Sequence, residues 1–240
     1  MLTDNLPWFL IIAIAAGLVR GLTGFGGAMV MTLPLAWLLP PGEAISVVLL
    51  MESIAAAPLL RRAYAHCSGK TLVPICAFAA VFLPFGVLAQ SRMDPDAIRT
   101  GIALLVLVFS VLLMFGAGIR NTPPRWVSGA VGSLSGFLMG STAIGGPIVV
   151  IYLMALKDPP EVSRSNLMIY ITFIASFGLL ILVLNGLVGR SGLYLMLLMT
   201  PIYLVGGFGG ERLARTLPVN ALRRFTLSFL ALSGLASLFF

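Results

Sequence analysis

Long apolar runs cut by short polar turns make up nearly the whole chain. The runs fall at about 6–39, 43–60, 71–90, 97–119, 125–156, 165–189, 192–210 and 221–240. Turn-forming residues separate them: Pro40-Pro41-Gly42, Asp94-Pro95-Asp96, Pro123-Pro124, Asp158-Pro159-Pro160 and Pro218. Six of the runs lie near the roughly 20 residues that a helix needs to cross a bilayer. The first and fifth, each over 30 residues, are too long for one crossing of a ~30 Å hydrocarbon core at about 1.5 Å per residue. Each holds a glycine cluster near its middle, Gly24-Phe25-Gly26-Gly27 and Gly145-Gly146-Pro147. Each is therefore expected to form two half-helices joined at a break and folded back as a re-entrant hairpin.

The chain repeats itself. Gly17 to Gly27 has a counterpart in Gly132 to Pro147, and Gly26-Gly27 stands 119 residues before Gly145-Gly146. The same offset carries Pro40-Pro41 to Pro159-Pro160 and Ser46 to Ser165. At the ends of the halves, Asp96-Ala97-Ile98-Arg99 resembles Asn220-Ala221-Leu222-Arg223. Aligning Gly17-x-x-x-Gly21 with Gly132-x-x-x-Gly136 leaves four extra residues before the second break and makes Ser135 the approximate counterpart of Arg20. A duplicated unit with glycine breaks in long apolar segments points to a transporter and to its binding site.

Composition and charge sharpen this. The chain is 59% hydrophobic and only 10% charged, with a mean hydropathy of +1.06, which defines a polytopic membrane protein. The net charge of +7 comes from bases in short loops, the pattern of topology signals and not of nucleic-acid binding. With both long runs returning to the side they enter and the N-terminus outside, Arg61, Arg62, Lys70, Arg120, Arg125, Lys157, Arg164, Arg212, Arg215, Arg223 and Arg224 lie inside. Only Arg92, Arg99 and Arg190 lie outside, with Arg20 inside the first run. If both runs cross fully, that bias largely disappears. The expected fold is thus an all-α polytopic membrane protein with two inverted-topology repeats, each a glycine-broken re-entrant hairpin plus three transmembrane helices. Residues 1–120 form the first membrane repeat and 121–240 the second, together one transport domain. Both termini of this multi-pass protein are expected on the outer side of the cell membrane. The N-terminus lacks a basic n-region, so Leu6 onward reads as the first membrane segment and not as a cleavable signal.

Irregular backbone at membrane depth is tolerated only where protein buries it or it lines a cavity. The breaks therefore predict a cavity near the midplane. The second arms would start near Ala28 and Pro147, and free N–H groups of Gly27, Ala28, Met29, Ile148 and Val149 would face it. Two opposed helix N-termini suit a small anion. Gly24, Gly26, Gly27, Gly145 and Gly146 let backbone approach the ligand, and Thr23, Ser141 and Thr142 add hydroxyls. The competing reading is packing: Gly17, Gly21, Gly132, Gly136 and Gly140 form small-residue ridges that let helices approach.

Arg20 and Glu52 are ionisable residues inside apolar runs, where charge is costly. Arg20 is a candidate positive charge for the anion. Glu52 is a candidate partner for it, or a proton-coupling group. The bland alternatives are a structural ion pair or an Arg20 that snorkels to the surface. Ser46, Ser165 and Asn166 either face the cavity or cap helices. Cys67, Cys76 and His66 show no disulfide or metal spacing, and neither a metal nor a cofactor is expected.

These residues together resemble the TauE/SafE family of sulfite exporters. The matching stretches are Gly17-x-x-x-Gly21 with Gly24-Phe25-Gly26-Gly27, Gly132-x-x-x-Gly136 with Gly145-Gly146-Pro147, and Gly206-Gly207-Phe208-Gly209-Gly210 before Arg212-Leu213-Ala214. The family often carries three consecutive glycines at each break, where this chain has Gly-Gly-Ala and Gly-Gly-Pro. The resemblance implies a secondary transporter, without enzymatic activity, that exports sulfite or organosulfonates across a bacterial cytoplasmic membrane. The alternatives are a passive anion channel or facilitator and a proton-coupled importer of a small organic anion. The partners expected are a small anionic substrate and the bilayer, with no nucleic acid. Flat small-residue faces are also compatible with a homodimer.

Overall fold

The computed structural model describes residues 5–56, 63–114, 123–124, 126–156, 158–214, 216, 227–228, 231 and 234–235. Among them the regular structure is helical: α1 (Leu6–Thr23), α2 (Gly27–Leu38), α3 (Pro41–Ala56), α4 (Gly69–Arg92), α5 (Pro95–Met114), α6 (Trp126–Thr142), α7 (Gly146–Ala155), α8 (Pro160–Leu184) and α9 (Arg190–Ala214). Of these, α1, α4, α5, α8 and α9 are long and apolar enough to cross a membrane. The chain is a polytopic helical membrane protein. Arg61, Arg62, Arg120, Arg125, Lys157, Arg215, Arg223 and Arg224, Pro218, Asn220 to Leu222 and most of the last apolar run lie outside the described residues.

Each long run is broken at its glycine cluster, but the arms are unequal. The first arms have 18 and 17 residues and the second arms only 12 and 10. The expectation of two half-helices is corrected accordingly to one long and one short arm. The reason is local: Gly24 takes the left-handed conformation at φ 80° and closes α1 late in the run.

The chain doubles back at both breaks. Ser135 lies seven residues before the end of α6, about 10 Å along the helix at ~1.5 Å per residue. Its hydroxyl nevertheless donates to the carbonyl of Gly145 at 2.5 Å, just beyond the break. Gly26 likewise returns against Val19 of α1.

Two helix crossings carry the packing. A methyl group on Gly17 or Gly21 would collide with the carbonyls of Tyr203 and Gly207 on α9. On Gly136 or Gly140 it would collide with those of Ala79 and Leu83 on α4. In return, Gly210 meets the carbonyl of Leu18, and Gly86 that of Phe137. These contacts map onto one another when the α1 side is advanced by 119 residues and the α4 side by 124. The first arms therefore pack on long helices distant in the chain, α1 on α9 and α6 on α4, while α3 packs on α8. The dominant force is backbone-to-backbone packing through small residues, as lipid offers no hydrophobic drive between helices.

This register corrects the alignment read from sequence. Gly17 and Gly21 match Gly136 and Gly140, so no extra residues precede the second break, and Arg20 corresponds to Met139 and not Ser135. Gly132 extends the ridge by one more turn, against Ile75.

Candidate anion site between the two breaks

The two breaks open with the same turn and part at its end, where Gly26 is left-handed at φ 89° and its counterpart Gly145 is not, at φ -90°. Thr23 donates its hydroxyl to the Val19 carbonyl at 2.8 Å, and Thr142 does the same to Leu138 at 2.8 Å. Each hydroxyl accepts the N–H two residues on, from Phe25 and Ile144, at 3.3 Å in both cases. The next N–H groups close the helices, Gly24 onto Arg20 at 2.7 Å and Ala143 onto Met139 at 3.0 Å. Gly24 and Ala143 both have positive φ, at 80° and 59°. Ser/Thr turns of this kind satisfy local backbone, so the hydroxyls of Thr23 and Thr142 are engaged in the turn. Ser141 is engaged too, donating to Phe137 at 2.9 Å within its own helix.

Beyond the turns, the short arms start at Gly27 and Gly146 and their first ends border one cavity of about 30 Å³. Gly26, Ala28, Gly146 and Pro147 line it, with Phe25, Met139, Ala143, Ile144 and Ile171 as apolar wall. Pro147 sits in the first turn of α7, where it gives up no helical hydrogen bond. The first N–H groups of α2 and α7 lack intrahelical partners and carry the positive dipole ends. Of the ionisable side chains, Glu52 lines this cavity and Arg20 does not.

Arg20 faces a second, larger vestibule of about 110 Å³, together with Gly24, Arg164, Tyr203, Glu211 and Ile171. Arg20, Glu52 and Tyr203 form the partition between the two spaces. Arg20 Nη1 pairs with Glu52 Oε2 and donates to the Tyr203 hydroxyl at 3.2 Å. Tyr203 donates to Glu52 Oε1 at 2.7 Å. The Arg20 and Glu52 side chains are only 14% and 4% exposed, so the pair is nearly dry. Tyr203 and Glu52 also close over Gly27, where no side chain would fit.

The opposite half carries different chemistry in the same frame. Met139, Ile171 and Ala79 occupy the positions of Arg20, Glu52 and Tyr203. A separate chain seals the second break: Tyr170 donates to Ser135 Oγ at 2.6 Å, and Ser135 to the Gly145 carbonyl. The Ser135 carbonyl lies so close to Gly145 that a methyl there would strike it.

Sequence reasoning named Arg20, Glu52 and the break glycines but missed Tyr203, Tyr170, Ile171 and Arg164. A polar tip at depth in an apolar run was the available signal for the tyrosines. Asn166 accepts the N–H of Ser68 at 2.8 Å and so fixes the start of α4, a helix of the other half. Ser46 bonds back to Gly42 at 2.8 Å within its own helix.

A polytopic helical membrane protein whose broken helices meet at a small cavity has the kind of architecture found in membrane transporters. Residues 9–237, nearly the whole chain, match the family described as Sulfite exporter TauE/SafE, and the chain belongs to that family. Among curated proteins and solved structures, none matches the chain.

Proposed function

We propose that this protein is a secondary transporter that exports small sulfur-containing anions, such as sulfite or an organosulfonate, and has no enzymatic activity. The observation that carries the reading is the pair of equivalent breaks whose helix N-termini border one cavity. A void of this size takes on the order of two water molecules, so a sulfite-sized anion would enter it stripped of its hydration shell. Backbone N–H groups of α2 and α7 would replace that shell, with the break glycines allowing close approach. Arg20 and Arg164 would give the vestibule its attraction for anions.

The positive-inside count of the basic loops supports a cytoplasmic vestibule side, with the termini on the outer side of a bacterial cytoplasmic membrane. Loading from that side fits export. Export on this reading runs down the anion's own concentration gradient, from the cytoplasm outward. A continuous channel fits less well, because the partition of Arg20, Glu52 and Tyr203 separates the two spaces.

Thermal stability of the purified protein against sulfite, sulfate, thiosulfate, sulfoacetate, taurine and simple carboxylates tests the reading. A selective rise for one sulfur anion, lost in Arg20→Gln, supports it. Stability indifferent to every anion overturns it.

A further inference from the structure

The inner cavity presents an electrostatic contradiction. Its helix N-termini favour an anion, yet the ionisable side chain on its wall is a carboxylate, Glu52. With Glu52 ionised, its charge cancels that of Arg20, and an anion in the cavity would lie against a buried negative group. With Glu52 protonated, the wall is neutral and the Arg20 charge is left uncompensated behind it. The same event removes a repulsion and supplies an attraction.

We propose that Glu52 is the proton site of an anion–proton cotransport, in which each monovalent anion enters the inner cavity together with one proton on Glu52. This rests on the anion-transport reading above and specifies how that transport is coupled.

The surroundings of Glu52 supply a route. Arg20 from α1 and Tyr203 from α9 touch it, while Ile171 from α8 and Met139 from α6 complete the apolar wall. Arg164 and Glu211 lie further out in the vestibule. Tyr203 borders the vestibule and donates to Glu52 Oε1. A hydronium ion in the vestibule gives its extra proton to the Tyr203 oxygen, leaving water, as Tyr203 passes its own proton to Glu52. One O–H bond forms on the carboxyl and one is restored on the phenol, and no electrons change hands. Protonated Glu52 no longer holds Arg20 as an ion pair, so the partition loosens when the anion is seated.

The opposite half cannot duplicate this, because Ile171 and Met139 stand at the equivalent positions. One carboxylate in the cavity wall gives one proton per cycle.

The test uses purified full-length protein in liposomes, with radiolabelled methanesulfonate, whose charge does not vary with pH, beside sulfite. A trapped pH dye counts protons. An imposed pH gradient is expected to concentrate methanesulfonate on the alkaline side by about tenfold per pH unit, since the two ratios represent the same free energy. One proton should move per anion, and an imposed potential should leave the ratio unchanged. In Glu52→Gln the ratio is expected to fall to unity, with no proton counted in any downhill flux it retains. Glu52→Asp, which keeps a titratable group, should stay coupled.

Anion flux without proton movement in the wild type overturns the inference and leaves the transport reading standing. A Glu52→Gln variant that still moves one proton per anion overturns the role of Glu52. Absence of any flux of either anion overturns the transport reading and this one with it. If Glu52→Gln does not fold, the wild-type proton count decides the coupling and Glu52→Asp its site.

Discussion

Glu52 and Ile171 stand 119 residues apart, on the equivalent helices α3 and α8, and line the same cavity. One is a carboxylate tied to an arginine and a tyrosine, the other a plain apolar wall. The duplicated frame therefore holds a site with one charged side. At an effective dielectric constant of about 20, an anion about 4 Å from an ionised carboxylate meets a repulsion of about 4 kcal/mol. Arg20, paired with that carboxylate, offsets part of the repulsion.

The Arg20–Glu52 pair should respond unequally to the loss of its two members. Arg20→Gln leaves a carboxylate buried with no cation and is expected to cost roughly 3–5 kcal/mol, the range for breaking a buried pair from one side. Glu52→Gln should cost less, because Arg20 borders the open vestibule. The double variant should recover part of the Arg20→Gln loss. Denaturant titrations of the four proteins in detergent, read as a double-mutant cycle, check this.

The helix crossings should tolerate no side chain. Gly21→Ala and Gly136→Ala place a methyl against a backbone carbonyl, and overpacking of this kind costs about 1–3 kcal/mol or more. Gly69→Ala and Gly101→Ala meet nothing within 4 Å and should be nearly neutral. Melting temperatures, with yields of monodisperse protein, distinguish the two groups.

The two breaks offer a conformational exchange experiment. Ala143 holds φ 59°, a region in which a Cβ costs roughly 1–2 kcal/mol, while its counterpart Gly24 holds φ 80°. Ala143→Gly should raise the melting temperature and Gly24→Ala should lower it. Equal effects of the same sign would show that the turns are not equivalent.

Arg164 is exposed at the vestibule, and its side chain reaches over Gly24. A charge there acts on approach of the anion and not on its final seat. Arg164→Gln is expected to raise the KM for loading from the vestibule side by roughly tenfold at low salt, with the maximal rate kept. The difference should shrink as ionic strength rises, because screening removes the same attraction. Initial rates across a salt series measure it.

The glycine breaks and the membrane class were legible because each is a local pattern. Apolar run length and adjacent glycines need no knowledge of neighbours. Arg20 and Glu52 were legible for the same reason, as charges within apolar runs. Their placement was not. Sequence spacing suggested that Arg20 supplies charge to the anion cavity, whereas the structure puts Glu52 on that wall and Arg20 behind it.

The chain by itself pointed to breaks at Gly24 to Gly27 and Gly145 to Pro147, where adjacent glycines fall in runs too long for one crossing, whereas Gly206-Gly207 and Gly209-Gly210, in a run of ordinary length, stay helical within α9. It did not determine the register of the two halves, because Gly132, Gly136 and Gly140 offer two equally spaced matches to Gly17 and Gly21. Only the crossing of α1 with α9, and of α6 with α4, decided between them. There each glycine meets a specific carbonyl, and a shift of one turn would change every contact along the ridge. The same crossing brings Tyr203, 151 residues away in the chain, onto Glu52. Contacts between such distant residues come from packing, and no local pattern in the chain encodes them.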